Sequence, residues 1–215
     1  MLGSAVHDSL RDVFELLKSG EQLPDKKTLT ALFEKYVRRE AMSPKDYAEI
    51  FAKGSKALLA YIEHYKNDFF TDVLTEYNFK KHRVQIAGVF VTGKLDKIEI
   101  LDTQKKLVNV VDYKTGNSDT AYVKLKKDGN YFRQLVFYKL LCDNAPQFGY
   151  KMQSGEIDFI EASKKGYVKK KIEISDTDVA QLTEVIQRVW KEIQDLKFMD
   201  ISSGCHKEEC EYCAW

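Results

Sequence analysis

The chain has 215 residues, of which 44% are hydrophobic, so it can bury one sizeable core. Its formal net charge is only +1, so a surface that binds nucleic acid must be a local basic patch. No apolar run approaches the ~20 residues of a transmembrane helix, and the amino terminus lacks the pattern of a signal peptide. We therefore expect a cytoplasmic protein that does not associate with membranes.

Residues 1–70 have the apolar spacing of three amphipathic helices. The first contains the apolar residues of segment 5–17, and the second is predicted to begin with Thr28 as its cap. The third begins near Ser43 and Pro44, because proline is favoured in the first turn of a helix. His7 lies in the first helix, and taken alone it is typical of a surface or capping histidine.

Segment 72–79 has the alternation of a β-strand. Segment 85–90 then leads into a β-hairpin whose strands are residues 91–101 and 107–114, joined by a polar connection, so we expect three consecutive antiparallel strands. If the connection is symmetric about Gln104, the opposed pairs are Leu101 with Leu107, Ile100 with Val108, Ile98 with Val110, and Asp96 with Asp112.

Two carboxylates would then lie side by side at the end of an apolar face, with Lys114 two residues beyond Asp112 on that face. Paired carboxylates are destabilising unless they share a proton or bind a cation, and their oxygens suit Mg²⁺ or Mn²⁺. The alternative is that Asp96 and Asp112 are solvated acids paired with Lys94 and Lys114. A register shift of one residue would also separate them.

A polar connection containing Lys124, Lys126 and Lys127 precedes an amphipathic helix in segment 130–144. These lysines either neutralise nucleic-acid phosphates or form a solvated face. Gln134 and Tyr138 lie four residues apart and therefore share one face of the helix. A further hairpin is predicted around Gly166, and a last helix follows the cap formed by Ser175 and Asp178.

Three cysteines, Cys205, Cys210 and Cys213, lie in the tail formed by residues 201–215. Their spacing in a chain expected to be cytoplasmic favours a metal over a disulfide. Zinc bound with the help of His206 and a tail without metal are interpretations that the sequence leaves open.

In order, the segments GSAVHDSL, GKLDKI, VVDYKTG and QLVFY resemble the motifs of the PD-(D/E)XK nuclease superfamily, in particular its RecB-like branch. The resemblance implies that His7, Asp96, Asp112 and the Tyr113 carbonyl bind Mg²⁺ or Mn²⁺, and that Lys114 is catalytic. It further implies that Gln134 and Tyr138 contact Lys114 and the nucleic-acid backbone. Members of this branch hold an iron–sulfur cluster with a C-terminal cysteine triplet, so the resemblance adds such a cluster at Cys205, Cys210 and Cys213 to the open interpretations of the tail, although the spacing of the three cysteines differs from that of the family. Glu76 matches a family acid that orients a second metal or a water. The alternative interpretation is that Glu76 is a solvated charge at the edge of the sheet.

The fold that the resemblance implies is α/β of the restriction-endonuclease type: a mixed sheet led by an antiparallel meander, with helices on both sides, in residues 1–200. The implied function is metal-dependent DNA hydrolysis in recombination or repair, by an exonuclease acting on single-stranded DNA. A superfamily 1 helicase is the expected partner, and the position of the His7 motif suggests a domain cut from a longer polypeptide. The alternative is a catalytically silent module that binds DNA or docks on a helicase.

Overall fold

The computed structural model describes residues 2–121, 123–127 and 129–197. The α-helices in these ranges are Leu2–Lys18 (α1), Lys26–Val37 (α2), Pro44–Tyr65 (α3), Asn130–Asp143 (α4) and Asp176–Gln194 (α5). The strands are Val73–Asn78 (β1), Gln85–Ile86 (β2), Val89–Phe90 (β3), Lys94–Asp102 (β4), Leu107–Lys114 (β5), Lys151–Phe159 (β6) and Lys169–Ile172 (β7). Among these residues no helix has the length and apolar composition needed to cross a bilayer.

Five strands form one mixed sheet in the order β1-β4-β5-β6-β7. Strands β1, β4 and β5 form the expected antiparallel meander, β6 runs parallel to β5, and β7 is antiparallel to β6. The helix α4 connects β5 to β6, as a parallel crossover requires. The predicted α/β fold of the restriction-endonuclease type, with a mixed sheet between helices, is confirmed.

The register of the β4–β5 hairpin agrees with the symmetric prediction over most of its length. Ile98 pairs with Val110 and Ile100 with Val108, as predicted. The predicted pair of Leu101 with Leu107 is wrong, because an irregularity after Ile100 brings Asp102 opposite Leu107. The extra residue leaves Leu101 exposed and does not disturb the pairs nearer to Asp112.

Segment 85–90 does not join the large sheet. Instead β2 and β3 pair with each other as a small separate hairpin, with Ala87 and Gly88 at positive φ in its turn. Two consecutive positive φ angles are typical of the tight turns that join two-stranded hairpins. The meander therefore consists of β1, β4 and β5 alone.

The sheet separates two apolar cores, because successive side chains of a strand point to opposite faces. Helices α1, α2 and α3 cover one face, whose core includes Phe14, Phe33 and Tyr61 with Val111 of β5. Helices α4 and α5 pack in the other core, which includes Leu135 of α4 and the hairpin residues Ile98, Ile100, Val108 and Val110.

Helix caps set the start of three helices. Ser43 caps α3 and Ser175 forms a capping box with Asp178 at α5, both as predicted. Thr28 is not the cap of α2: the side chain of Asp25 accepts a hydrogen bond from the Thr28 N–H group. The helix starts earlier than predicted because Asp25 is itself a strong capping residue.

Candidate active site

The candidate site lies where the β4–β5 ladder opens at the carboxyl end of β5. The last backbone pair of the ladder is Lys97 with Val111. Beyond it, the Tyr113 N–H group donates to Asp96 Oδ2 at 2.9 Å, so a carboxylate takes the place of a backbone acceptor. Burial raises the pKa of Asp112, and the nearby charge of Asp96 raises it further, as expected for the predicted neighbours.

His7 reaches this point from α1, on the face of the sheet that α1, α2 and α3 cover. Its Nδ1 lies 3.2 Å from Asp96 Oδ1, and its Nε2 lies 3.1 Å from the Tyr113 carbonyl oxygen. Burial lowers the pKa of His7, but the hydrogen bond and charge of Asp96 outweigh it, so the pKa is raised above its usual value. The structure thus brings together three of the predicted metal ligands, which are 106 residues apart at their widest.

Glu76 lies on β1, on the other side of Asp96. It has a φ of 49°, in the left-handed region that residues with a Cβ rarely adopt. This conformation costs on the order of 1 kcal/mol, and such strain concentrates at functional sites. The carboxylate forms an ion pair with Lys94, and only 12% of the Glu76 side chain is exposed.

Together these residues form a group that fits a divalent cation. One ligand atom each from His7, Glu76 and Asp96 lie within 4.8 Å of one another. Imidazole and carboxylate oxygens are ligands that Mn²⁺ and Mg²⁺ accept. Asp112 is not a member of this group, and its buried Oδ2 forms an ion pair with Lys114. The donor set therefore matches the predicted metal, and the group adds Glu76 to the predicted ligands.

Asp112 and Lys114 project from the same face of β5, because side chains two residues apart in a strand point the same way. Lys114 Nζ lies 2.6 Å from Asp112 Oδ2, and only 2% of the Asp112 side chain is exposed. Burial and the nearby Asp96 raise the pKa of Asp112, against the opposing charge of Lys114. The positive charge of Lys114 therefore stabilises the ionised form of the buried Asp112 carboxylate, which also lies near the negative charge of Asp96.

Gln134 and Tyr138 of α4 complete a closed chain of hydrogen bonds around that pair. Lys114 Nζ donates to Gln134 Oε1 at 2.8 Å, and Gln134 Nε2 donates to the Tyr138 hydroxyl oxygen at 2.7 Å. The Tyr138 hydroxyl in turn donates to Asp112 Oδ1 at 3.0 Å. Burial raises the pKa of Tyr138, so the hydroxyl stays a donor at neutral pH. The chain holds the Lys114 ammonium in one position.

The predicted nucleic-acid-binding lysines lie in the loop before α4. Lys124 Nζ is 5.4 Å from the centre of the Tyr131 ring, and Lys114 Nζ is 4.6 Å from the same ring. Lys126 follows in the same loop, and Lys127 lies 3.4 Å from the Asp178 carboxylate at the start of α5. Tyr131 is not among the predicted site residues, although its position three residues before Gln134 places it on the same helical face.

The cysteines of the predicted metal-binding tail, Cys205, Cys210 and Cys213, lie outside the described residues. Their ligands and their metal stay predictions.

Comparisons with known proteins give one family. A sequence model described as the PD-(D/E)XK nuclease superfamily matches residues 1–215. Among solved structures, one titled "Crystal structure of SSO0001" is similar at 16% identity and a TM-score of 0.35, over 85% of this chain and 72% of that chain. A comparison with curated proteins found no match.

Proposed function

Because the chain belongs to the PD-(D/E)XK nuclease superfamily, we propose that it is a metal-dependent nuclease that hydrolyses phosphodiester bonds of DNA. The observation that supports this most is the position of Lys114, whose ammonium lies 2.6 Å from a buried carboxylate. The group formed by His7, Glu76 and Asp96 adjoins that carboxylate. A nuclease of this class requires such a juxtaposition of acids and a lysine.

The residues that would hold the ion are His7, Glu76 and Asp96, together with Asp112 and the Tyr113 carbonyl. A divalent ion supplies Lewis-acid polarisation of the scissile phosphate and lowers the pKa of an attacking water. To bind it, His7 must present a neutral nitrogen, and the carboxylates must exchange protein partners for the ion. The ion pair of Glu76 with Lys94 is more exposed than the ion pair of Asp112 with Lys114, since 51% of the Lys94 side chain is exposed.

Lys114 is proposed as the catalytic cation. Its ammonium stabilises the negative charge that develops on the phosphate oxygens in the transition state, or orients the attacking water. Gln134 and Tyr138 keep it in place through their hydrogen bonds. Because this positioning exists before substrate binds, little reorganisation is needed during the reaction.

The finer assignment rests on the order of the motifs and on the basic loop before α4. We propose that the protein belongs to the RecB-like branch and acts as an exonuclease on single-stranded DNA in recombination or repair. Its partner would be a superfamily 1 helicase, in the same chain or complex. Lys124, Lys126 and Lys127 would contact DNA phosphates, and Lys124 and Lys114 both contact the Tyr131 ring.

The test is a cleavage assay on 5′- and 3′-labelled single-stranded DNA, with Mn²⁺ or Mg²⁺ and then with excess chelator. We expect cleavage that requires the ion, and products that shorten from one end. Cleavage that persists in chelator would contradict the metal-dependent mechanism. Cleavage of RNA in preference to DNA would contradict the proposed substrate.

A second candidate function is a silent nuclease-fold module that binds DNA or docks on a helicase. One observation favours it: the acids of the site have protein partners, Lys94 for Glu76 and Lys114 for Asp112. In the same assay this module would bind labelled DNA and leave it intact with either metal.

A further inference from the structure

The Lys114 ammonium has three N–H donors, and two of them have acceptors in Asp112 and Gln134. The Tyr131 ring lies next to the same ammonium, with its centre 4.6 Å from Nζ. This distance is within the range in which a cation is attracted to the face of an aromatic ring. The ring is itself supported by Phe159 of β6, whose centre is 6.4 Å away.

A second lysine contacts the same ring. Lys124 Nζ is 5.4 Å from its centre, and the main chain of Lys124 is attached to the start of α4. Its carbonyl oxygen accepts the N–H groups of Tyr131 at 3.0 Å and Phe132 at 3.4 Å. These are helix-terminal N–H groups without a partner inside the helix. The lysine is thereby positioned by backbone contacts and not by its side chain alone.

Gly129 is what permits this approach. A Cβ atom at position 129 would lie 2.2 Å from the Lys124 carbonyl oxygen, which is too close for any other residue. The loop before α4 therefore folds back on the helix only because residue 129 is a glycine. The consequence is that two ammonium groups, from β5 and from this loop, are held at one tyrosine.

Two like charges near one ring repel each other, and the arrangement is favourable when an anion lies between or beside them. We propose that Tyr131 is a positioning residue whose ring holds Lys114 at the scissile phosphate and Lys124 at a neighbouring phosphate of the same DNA strand. This inference rests on the proposed nuclease function. It assigns to Tyr131 a role in the alignment of substrate and catalytic lysine, and to Lys124 a role in affinity.

The first experiment compares Tyr131→Phe, which keeps the ring, with Tyr131→Leu, which removes it. The matched control is Tyr150→Leu, because the Tyr150 ring lies 5.3 Å from Lys106 Nζ at the opposite end of β5. We expect Tyr131→Phe to cleave DNA within about twofold of the natural protein. We expect Tyr131→Leu to lower kcat about tenfold, because Lys114 loses the ring, and to raise KM about threefold or less, because Lys124 loses it as well at a single phosphate.

Two results would overturn the role of the ring. One is a Tyr131→Leu variant that cleaves as fast as Tyr150→Leu. The other is a Tyr131→Phe variant as slow as Tyr131→Leu, which would assign the effect to the hydroxyl. Circular dichroism and thermal unfolding establish that each variant is folded; if Tyr131→Leu unfolds, Tyr131→Met replaces it, since methionine keeps bulk and helix propensity.

A second measurement reads out the contact without cleavage. Biosynthetic incorporation of ¹³C-lysine leaves the ammonium groups unmodified, and a ring next to Lys114 shifts the signals of its ε-methylene group upfield. We expect that shift in the natural protein and in Tyr131→Phe, and its loss in Tyr131→Leu. A Lys114 signal without a ring shift in the natural protein would refute the contact, whether or not the protein cleaves DNA.

The role of Lys124 is tested by the salt dependence of binding to single-stranded DNA in chelator. Lys124→Ala should reduce the slope of log affinity against log salt by about 0.7, the value for one phosphate contact on a single strand. The control is Lys105→Ala, which removes the same charge from the β4–β5 turn at the far end of the strands. Equal slopes for the two variants would overturn the phosphate contact. If neither Mn²⁺ nor Mg²⁺ supports cleavage, the nuclease proposal fails while this measurement still decides the binding role of Lys124.

Discussion

The molecule contains two groups of buried or half-buried charges that have strand β4 in common, and they differ in how deeply their central members are buried. The candidate metal site opens at the carboxyl end of β5. The second group, here called the ionic cluster, lies on the face covered by α1, α2 and α3. It comprises Lys97, Glu99, Glu156, Asp158 and Lys169.

In the ionic cluster the two central charges, Lys97 and Asp158, are enclosed between helices and strands, whereas Glu99 and Lys169 at its rim are partly exposed. Lys97 Nζ lies 2.8 Å from Glu99 Oε1 and 4.5 Å from the centre of the Phe14 ring, and 3% of its side chain is exposed. Asp158 is fully buried, accepts the Tyr61 hydroxyl at 2.5 Å, and lies 3.3 Å from Lys169 Nζ. A charge in such a position is stable only with its protein partner, because no solvent can replace that partner.

In the candidate metal site the ligand atoms face one another and remain accessible. The exposed fractions are 25% for the His7 side chain and 13% for Asp96. Partial exposure lets an ion replace the protein partners at a modest cost in solvation. We therefore expect the loss of a charge to affect stability most in the ionic cluster, and to affect metal binding most in the candidate metal site. The following variants test this division, from the largest expected effect to the smallest.

Lys114→Ala should have the largest effect on activity. We expect cleavage per folded molecule to fall about 10³-fold, or about 4 kcal/mol of transition-state stabilisation, because the variant lacks the proposed catalytic cation. The variant should remain folded and bind DNA nearly as tightly, as judged by thermal unfolding and fluorescence anisotropy, but with a lower stability, because the buried Asp112 carboxylate loses its ion pair. Unchanged cleavage in this variant would be fatal to the assignment of Lys114.

Lys97→Met should lower the stability of the protein and leave its nuclease activity nearly unchanged. It leaves Glu99 half-enclosed without its cation, so we expect the free energy of unfolding in urea to fall by about 3 kcal/mol. Cleavage per folded molecule should stay close to that of the natural protein. Lys105→Ala is the matched control: it removes an exposed lysine 3.9 Å from Asp102 and should change stability by less than about 0.5 kcal/mol.

Metal binding should separate the two regions directly. At a Mn²⁺ concentration about ten times its Kd, we expect the natural protein to gain about 1.4 kcal/mol of stability, measured by thermal unfolding with and without the ion. Asp96→Asn should lose most of this gain because it removes a ligand charge. Asp158→Asn, the same change in the ionic cluster, should keep it; an equal loss in both variants would contradict the separation.

The smallest expected effect is on the pH dependence of stability. Burial raises the pKa of Asp158, against the charges of Lys169 and Lys97, and burial also raises the pKa of Glu156. A carboxyl with a raised folded-state pKa contributes stability that is present below its unfolded pKa of about 4 and is lost as pH rises through the folded pKa.

Urea unfolding from pH 4 to 8 should therefore show a loss of stability with rising pH that is smaller in Asp158→Asn. The slope removed is at most about 1.4 kcal/mol per pH unit, the value for one proton. Glu99, whose pKa is lowered by Lys97 despite burial, contributes with the opposite sign in both proteins and cancels in the comparison. A steeper loss in Asp158→Asn would contradict the raised pKa.

Local sequence patterns predicted the parts of the site that belong to one element or one hairpin. The alternation of β5 placed Asp112 and Lys114 on one face, and the spacing of α4 placed Gln134 and Tyr138 together. The turn symmetry predicted the pairs of Ile98 and Ile100 but not the bulge that excludes Leu101, because a bulge leaves the apolar alternation of the flanking residues unchanged.

The sequence by itself determined which residue types lie on which face, and the family to which their order belongs. Only the tertiary structure decided that His7 reaches Asp96 and the Tyr113 carbonyl, that Glu76 adopts positive φ beside them, and that Tyr131 contacts two lysines. The ionic cluster likewise had no signal along the chain. The physical reason is that periodicity acts over a few residues, whereas the distance between groups on separate elements depends on how the helices pack against the sheet.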